Sequence, residues 1–246
     1  MLKKIIVTAI INGIILAVSV TGLAAAPASH IPIPTNPQGA ASAPKEINHK
    51  KSMHFTRPDF YNMHSNKHLT ILNNYPTYQQ TTEETCGPAA ALTVLYYLGD
   101  KHWTEEQLTK GMKTQAYPVG TSTKNMVDFF VKEGYKVDSS LTTKETFTDY
   151  KSFHLFVLKN IAHKTPILVE NVEWGGHWRV IIGYDTMGTE STLDDVLIMA
   201  DPYDTSDHWQ DGYTVNNGER FYAMWFDIPS ARKEASLNKL WITISK

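Results

Sequence analysis

Apolar residues follow two regimes along this 246-residue chain. From about residue 86 to 163 they recur at helical spacing. From about 167 onward they gather in short β-branched runs. Leu92, Val94, Leu95 and Leu98 predict a helix that begins around Cys86 and stops at Gly99, with Pro88 in the first turn where a missing N–H costs nothing. Thr104 followed three residues later by Gln107 forms a capping-box pattern and announces a second helix. A third is predicted from about Ser122 to Lys132, with Met126, Phe129 and Phe130 facing inward, Val127 beside them, and Gly134 ending it. A fourth occupies about Phe153 to His163, ahead of Pro166. Ile167 to Val169, Trp178 to Tyr184, Val196 to Ala200 and Trp241 to Ile244 then read as strands. Helices first and strands later predict an α+β domain with segregated layers, folded from about Leu69 to the last residue given.

The first 68 residues follow neither pattern. Lys3 and Lys4 precede an apolar run from Ile5 to Val20, and the small-residue stretch Thr21 to Ala26 follows it. That order predicts a signal peptide over 1–26, cleaved between Gly22 and Ala28, and export to the cell envelope or medium. Taken together, Ile5 to Ala26 could also just cross a bilayer as an uncleaved anchor. Residues 27–68, rich in Pro, Ala, Ser and Asn as far as about Lys51, predict a disordered linker or pro-region. His49, His54, His64 and His68 lie there at irregular spacing with no acidic partner nearby, so they read as solvated histidines rather than a metal site.

Composition adds little until the cysteines are counted. The chain is 42% hydrophobic, 20% charged and 11% aromatic with a net charge of -2, an ordinary globular mixture that calls for neither a nucleic acid nor a membrane surface as partner of the mature form. One cysteine allows no intramolecular disulfide and no cysteine-based zinc cluster, and no cofactor or metal is predicted. A lone thiol in an exported protein is a liability unless it is used.

Cys86 opens its predicted helix, where the dipole and the free N–H groups of the first turn favour thiolate over thiol. A thiolate nucleophile needs an imidazole partner, and that partner needs an orienting group. Gly175-Gly176-His177-Trp178-Arg179-Val180-Ile181-Ile182-Gly183-Tyr184 places a histidine at the mouth of a strand, behind two glycines that leave room for a substrate. The next strand ends in Asp201-Pro202. A hairpin centred near residue 189 or 190 pairs Tyr184 near Asp194 or Asp195. It brings His177 opposite Asp201 within a residue or two, at a Cβ separation of roughly 5 Å. Asp201 is then the orienting carboxylate, with Asp185 and Asp204 as weaker candidates. Gln80, six residues before Cys86, can aim its amide at a developing oxyanion, and Gln79 is its alternative. Trp174, Trp178, Tyr203, Trp209 and Tyr213 lie near these residues in sequence, as cleft lining or as core.

Gln80, Cys86-Gly87-Pro88-Ala89-Ala90, Gly176-His177-Trp178-Arg179-Val180-Ile181-Ile182-Gly183 and Asp201-Pro202-Tyr203 together resemble papain-like cysteine peptidases. Above all they resemble the bacteriocin-processing (double-glycine leader) peptidase family, numbered thirty-nine among cysteine peptidases, and its free-standing relatives. The resemblance spans roughly residues 75 to 230. It implies a papain-like fold over 69–246, a helical layer with the nucleophile at a helix N-terminus packed on an antiparallel sheet. It also implies hydrolysis of a peptide or protein substrate by Cys86, His177 and Asp201 with Gln80 in the oxyanion hole. The same residues would serve a transpeptidase or amidase acting on small thiol or cell-wall peptides, and a silent domain that only binds peptides would share the fold.

Overall fold

The computed structural model describes residues 31–35, 37–42, 54, 56, 58–143, 147–206, 209–226 and 238–246. The predicted signal peptide and most of the stretch before residue 54 lie outside the described residues.

Strand β1 (Leu69–Ile71) is followed by α1 (Cys86–Tyr97), α2 (Glu105–Gly111) and α3 (Thr123–Lys132), then by β2 (Lys136–Ser139) and α4 (Tyr150–Ala162). The rest is β3 (Ile167–Asn171), β4 (His177–Asp185), β5 (Val196–Ala200), β6 (Tyr213–Asn217), α5 (Gly218–Ala223) and β7 (Leu240–Ser245). The strands make one sheet in the order β2-β7-β3-β4-β5-β6 with every pair antiparallel, and β1 pairs with β4 beyond the end of β3. This is the expected α+β, papain-like arrangement of a helical layer on an antiparallel sheet.

The helices begin and end for the reasons their sequences carry. Gly99 follows α1 at φ +84, a conformation glycine adopts without penalty. Thr104 and Gln107 form the predicted capping box on α2. Ser122 accepts from the Asn125 N–H to start α3. Helix α4 starts earlier than its apolar pattern suggests, because Asp149 and Ser152 form a second capping box ahead of Phe153. Helix α1 is buried from Cys86 to Leu95, as a helix that is apolar on all sides must be. It packs on β4, the longest strand, with Ala89, Ala90 and Ala91 fully buried.

Sequence patterning missed β1, β2, β6 and α5. Lys136–Ser139 and Tyr213–Asn217 are edge strands with little apolar alternation, held by backbone pairing to β7 and β5. Strand β3 runs on to Asn171 because Glu170 and Asn171 are buried despite their polarity.

In its described parts the stretch 27–68, expected as a disordered linker or pro-region, packs against the domain. Ile31, Ala40 and Phe60 are buried, and Phe60 stacks on Tyr213 at 5.3 Å between ring centroids. The Gln38 N–H donates to the Thr81 carbonyl at 2.6 Å, and the Ala41 N–H to the Gln80 carbonyl at 3.0 Å. A segment without periodicity still gains order when a finished domain offers it carbonyls and apolar contacts. His64 is exposed with Nδ1 against the Asn73 amide, and His68 is exposed as well.

A Cβ on Gly87 would lie 2.7 Å from Cβ of the fully buried Thr121. Gly87→Ala is therefore expected to lower unfolding free energy by about 1–3 kcal/mol, as overpacking does. Urea denaturation followed by tryptophan fluorescence would measure it, and an unchanged midpoint would contradict this packing.

Candidate active site

Cys86 is placed by the segment that precedes it. The buried Glu105 carboxylate at the head of α2 accepts from the Tyr78 hydroxyl at 2.9 Å, the Thr81 N–H at 3.0 Å and the Thr81 hydroxyl at 2.6 Å. The Gln80 N–H donates to the Pro202 carbonyl at 2.8 Å, which ties this loop to the one that carries Asp201. Thr85 occupies the N-cap of α1, but its hydroxyl turns back to Thr82 and caps nothing.

On the sheet side, the 3-10 turn Glu173–Gly175 leads through Gly175 and Gly176, at φ +89 and +130, into His177 at the first position of β4. Glycine suits both positions because a Cβ is strained there. The His177 Nε2–H donates to Asp201 Oδ1 at 2.7 Å, and Cys86 lies near enough to His177 to contribute to its pKa. Asp201 Oδ1 also accepts from the Tyr203 N–H at 2.9 Å, while Oδ2 lies 3.7 Å from Nη1 of Arg179. Cys86, His177 and Asp201 are all buried.

Burial alone would push the His177 pKa down, but the Asp201 charge and hydrogen bond, with a smaller part from Cys86, raise it to about 9. For Asp201, burial opposes ionisation. The His177 and Arg179 charges and the Tyr203 N–H outweigh it, so its pKa is lowered.

The structure thus brings Cys86, His177 and Asp201 together, by a register that differs from the one predicted. Tyr184 pairs with Leu197 rather than with Asp194 or Asp195, and the ladder shifts between Ile181 and Gly183. Val180 is opposite Ala200, where β5 ends. Asp201, the next residue, falls two positions from the place directly across from His177, within the residue or two expected, and its carboxylate reaches toward the head of β4. Asp185 and Asp204 are engaged elsewhere: Asp185 with the Met187 N–H, and Asp204 with Ser206 and the Gly212 N–H.

The Gln80 side chain is fully buried, and its amide nitrogen donates to the carbonyls of Thr82 and Glu83 at 2.8 and 3.1 Å. Gln79 instead approaches the Asp201 carbonyl, at 3.5 Å. Trp178 and Tyr213 are core residues, with Trp178 Nε1 donating to the Thr121 carbonyl at 3.0 Å and the Tyr213 hydroxyl to the Tyr75 carbonyl at 2.6 Å. Tyr203 meets Glu83, three residues from the nucleophile. The Trp174 side chain falls outside the described residues. Arg179 was missed by sequence reasoning. Its signal was a lone cation inside an otherwise apolar strand, where a charge must find a buried partner.

A family model described as the peptidase C39-like family matches residues 72–227, well over half of the chain and the whole span from before Gln80 to beyond Asp201. The chain belongs to the peptidase C39-like family. No curated protein matches it. Among solved structures it is similar to the peptidase domain of Streptococcus ComA, a bi-functional ABC transporter involved in quorum sensing. That match has 21% identity over 70% of this chain and 98% of that one, at a TM-score of 0.47. The peptidase domain of Streptococcus mutans ComA matches at 18% identity over 70% of this chain and 100% of that one, at a TM-score of 0.37. It is the family match that places the chain.

Because the folded state holds the His177 proton more tightly than the unfolded chain, that proton stabilises the fold fully below about pH 6.5. The contribution fades as pH rises through about 9. NMR titration of the His177 ring is expected to give a midpoint near 9 in the native protein. In Asp201→Asn the midpoint is expected to fall, because burial is then opposed only by the smaller Cys86 contribution. A midpoint unmoved by that substitution would contradict the charge pairing.

Proposed function

We propose that this chain is an exported cysteine peptidase that hydrolyses peptide bonds through Cys86, His177 and Asp201. The observation that carries the proposal is the buried His177–Asp201 pair, with Cys86 buried near enough to act on the His177 pKa, within a family of peptidases. The signal-like order of Lys3, Lys4 and the apolar run Ile5 to Val20 supports export to the cell envelope or medium.

The Cys86 thiol gives its proton to His177, and Asp201 holds the resulting imidazolium. The sulfur attacks the peptide carbonyl carbon, forming a C–S bond as the carbonyl electrons move to oxygen. The first-turn N–H groups of α1, which the Thr85 side chain leaves uncapped, are the donors for that oxyanion. In the described geometry the Gln80 amide is turned to its own loop, so its part in the oxyanion hole requires it to leave Thr82 and Glu83. His177 then protonates the leaving amine as the C–N bond breaks. Water adds to the thioester as His177 takes its proton, the C–S bond breaks to release the acid, and His177 returns the proton to the sulfur.

Cys86 is expected to react rapidly with iodoacetamide below pH 7, read by mass spectrometry. The rate should drop at least about tenfold in His177→Ala. Peptide turnover should fall by about 10²–10⁴ in the same variant. Slow labelling that rises only above pH 8 and ignores the substitution would sink the proposal. Release of an amine-coupled product instead of the free acid would redirect it to transpeptidation.

A further inference from the structure

We propose that Arg179 is a positioning residue of this site, holding the Asp201 carboxylate ionised and aimed at His177 throughout the reaction. This rests on the reading of Cys86, His177 and Asp201 as the reacting set.

The Arg179 side chain is 2% exposed, and its partners are specific. Nη2 donates to Glu173 Oε2 at 2.8 Å and to Asn171 Oδ1 at 3.2 Å, Nη1 faces Asp201 Oδ2 at 3.7 Å, and the guanidinium lies over the Phe221 ring. His177 and Arg179 are two apart on β4, so they share a face of the sheet. Between them they grip the two oxygens of one carboxylate, His177 at Oδ1 and Arg179 at Oδ2.

The division of labour follows from what each cation can do. When His177 passes its proton to a leaving amine, Asp201 is left as a buried carboxylate beside a neutral ring. Taking up a proton would then be its cheapest response. A guanidinium cannot lose its proton, so the Arg179 charge stays through every step and keeps Asp201 ionised for the next imidazolium. The other end of the Arg179 grip is Glu173, half-exposed in the turn that leads through Gly175 and Gly176 to His177. One buried side chain therefore links the approach to His177 with the group that orients it.

Charges near this network are few among the described residues. Asp201 faces His177, Arg179 and the Tyr203 N–H. Arg179 faces Glu173 and Asp201, and Arg220 of α5 shares with it a cavity of about 240 Å³ that Asn171 and Glu173 also line.

The test is the pH dependence of Cys86 alkylation by iodoacetamide, which needs no knowledge of the substrate. In Arg179→Ala the acid limb is expected to move up by about one pH unit, because an opposite charge that close favours the ionised carboxylate. Millimolar guanidinium chloride, admitted by the cavity, should move it back, and sodium chloride at equal concentration should not. Glu173→Gln should move the limb the other way, since Arg179 then serves Asp201 alone. In Asp201→Asn, adding Arg179→Ala should change the limb no further. Should Arg179→Ala fail to fold, the Glu173→Gln shift decides. A folded Arg179→Ala protein with the native limb, or a loss of reactivity without a shift or guanidinium rescue, would overturn the proposal. Native protein whose labelling ignores His177 would instead remove the reading on which it rests.

Discussion

The structure turns on the burial of two cations at the start of an apolar strand. His177 and Arg179 flank Trp178 in β4, and all three are removed from solvent. Two neighbouring buried cations are tolerable only beside anions: Asp201 faces both, and Glu173 takes the shorter contact with Arg179, at 2.8 Å. The demand shapes the chain beyond the contact itself. Strand β5 ends at Ala200, and the Asp201 N–H turns to the Gly212 carbonyl at 2.9 Å. The Pro202 carbonyl then receives the Gln80 N–H, so the loop leading to the nucleophile is drawn to the same point.

The Cys86 side of the site is set with equal economy by core packing. Thr121 stands where Gly87 allows α1 to come close, and the Thr121 carbonyl takes the Trp178 indole N–H. The first turn of α1 and the first residues of β4 are thereby fixed to a common residue. Glu105 holds the intervening loop from the opposite side through Tyr78 and Thr81. Cys86 is thereby held in place relative to His177, the fixed geometry that the proposed proton transfer between them needs. The segment around Gln38 and Ala41 lies on this same loop, so part of the N-terminal stretch rests on a wall of the site.

What the sequence determined by itself was local. Capping residues, a terminating glycine and β-branched runs placed α1 to α4 and the inner strands. They put Cys86 at a helix N-terminus, His177 at the head of a strand and Asp201 just past the end of another, because each signal lies within a few residues of what it controls. Tertiary structure decided what depends on distant partners. Tyr184 meets Leu197 because the ladder shifts between Ile181 and Gly183, a displacement no turn residue announces. Edge strands β2 and β6 exist by pairing with a finished neighbour. The Gln80 amide turns to its own loop, and residues 38–41 settle against that loop. Arg179 was visible as an oddity in an apolar run, but its partners Asn171 and Glu173 lie just before β4 and Asp201 just after β5, two places in the chain that meet only when the strands pair. Local pattern encodes which element a residue joins. Which charges face one another is settled by the register and packing of the whole sheet.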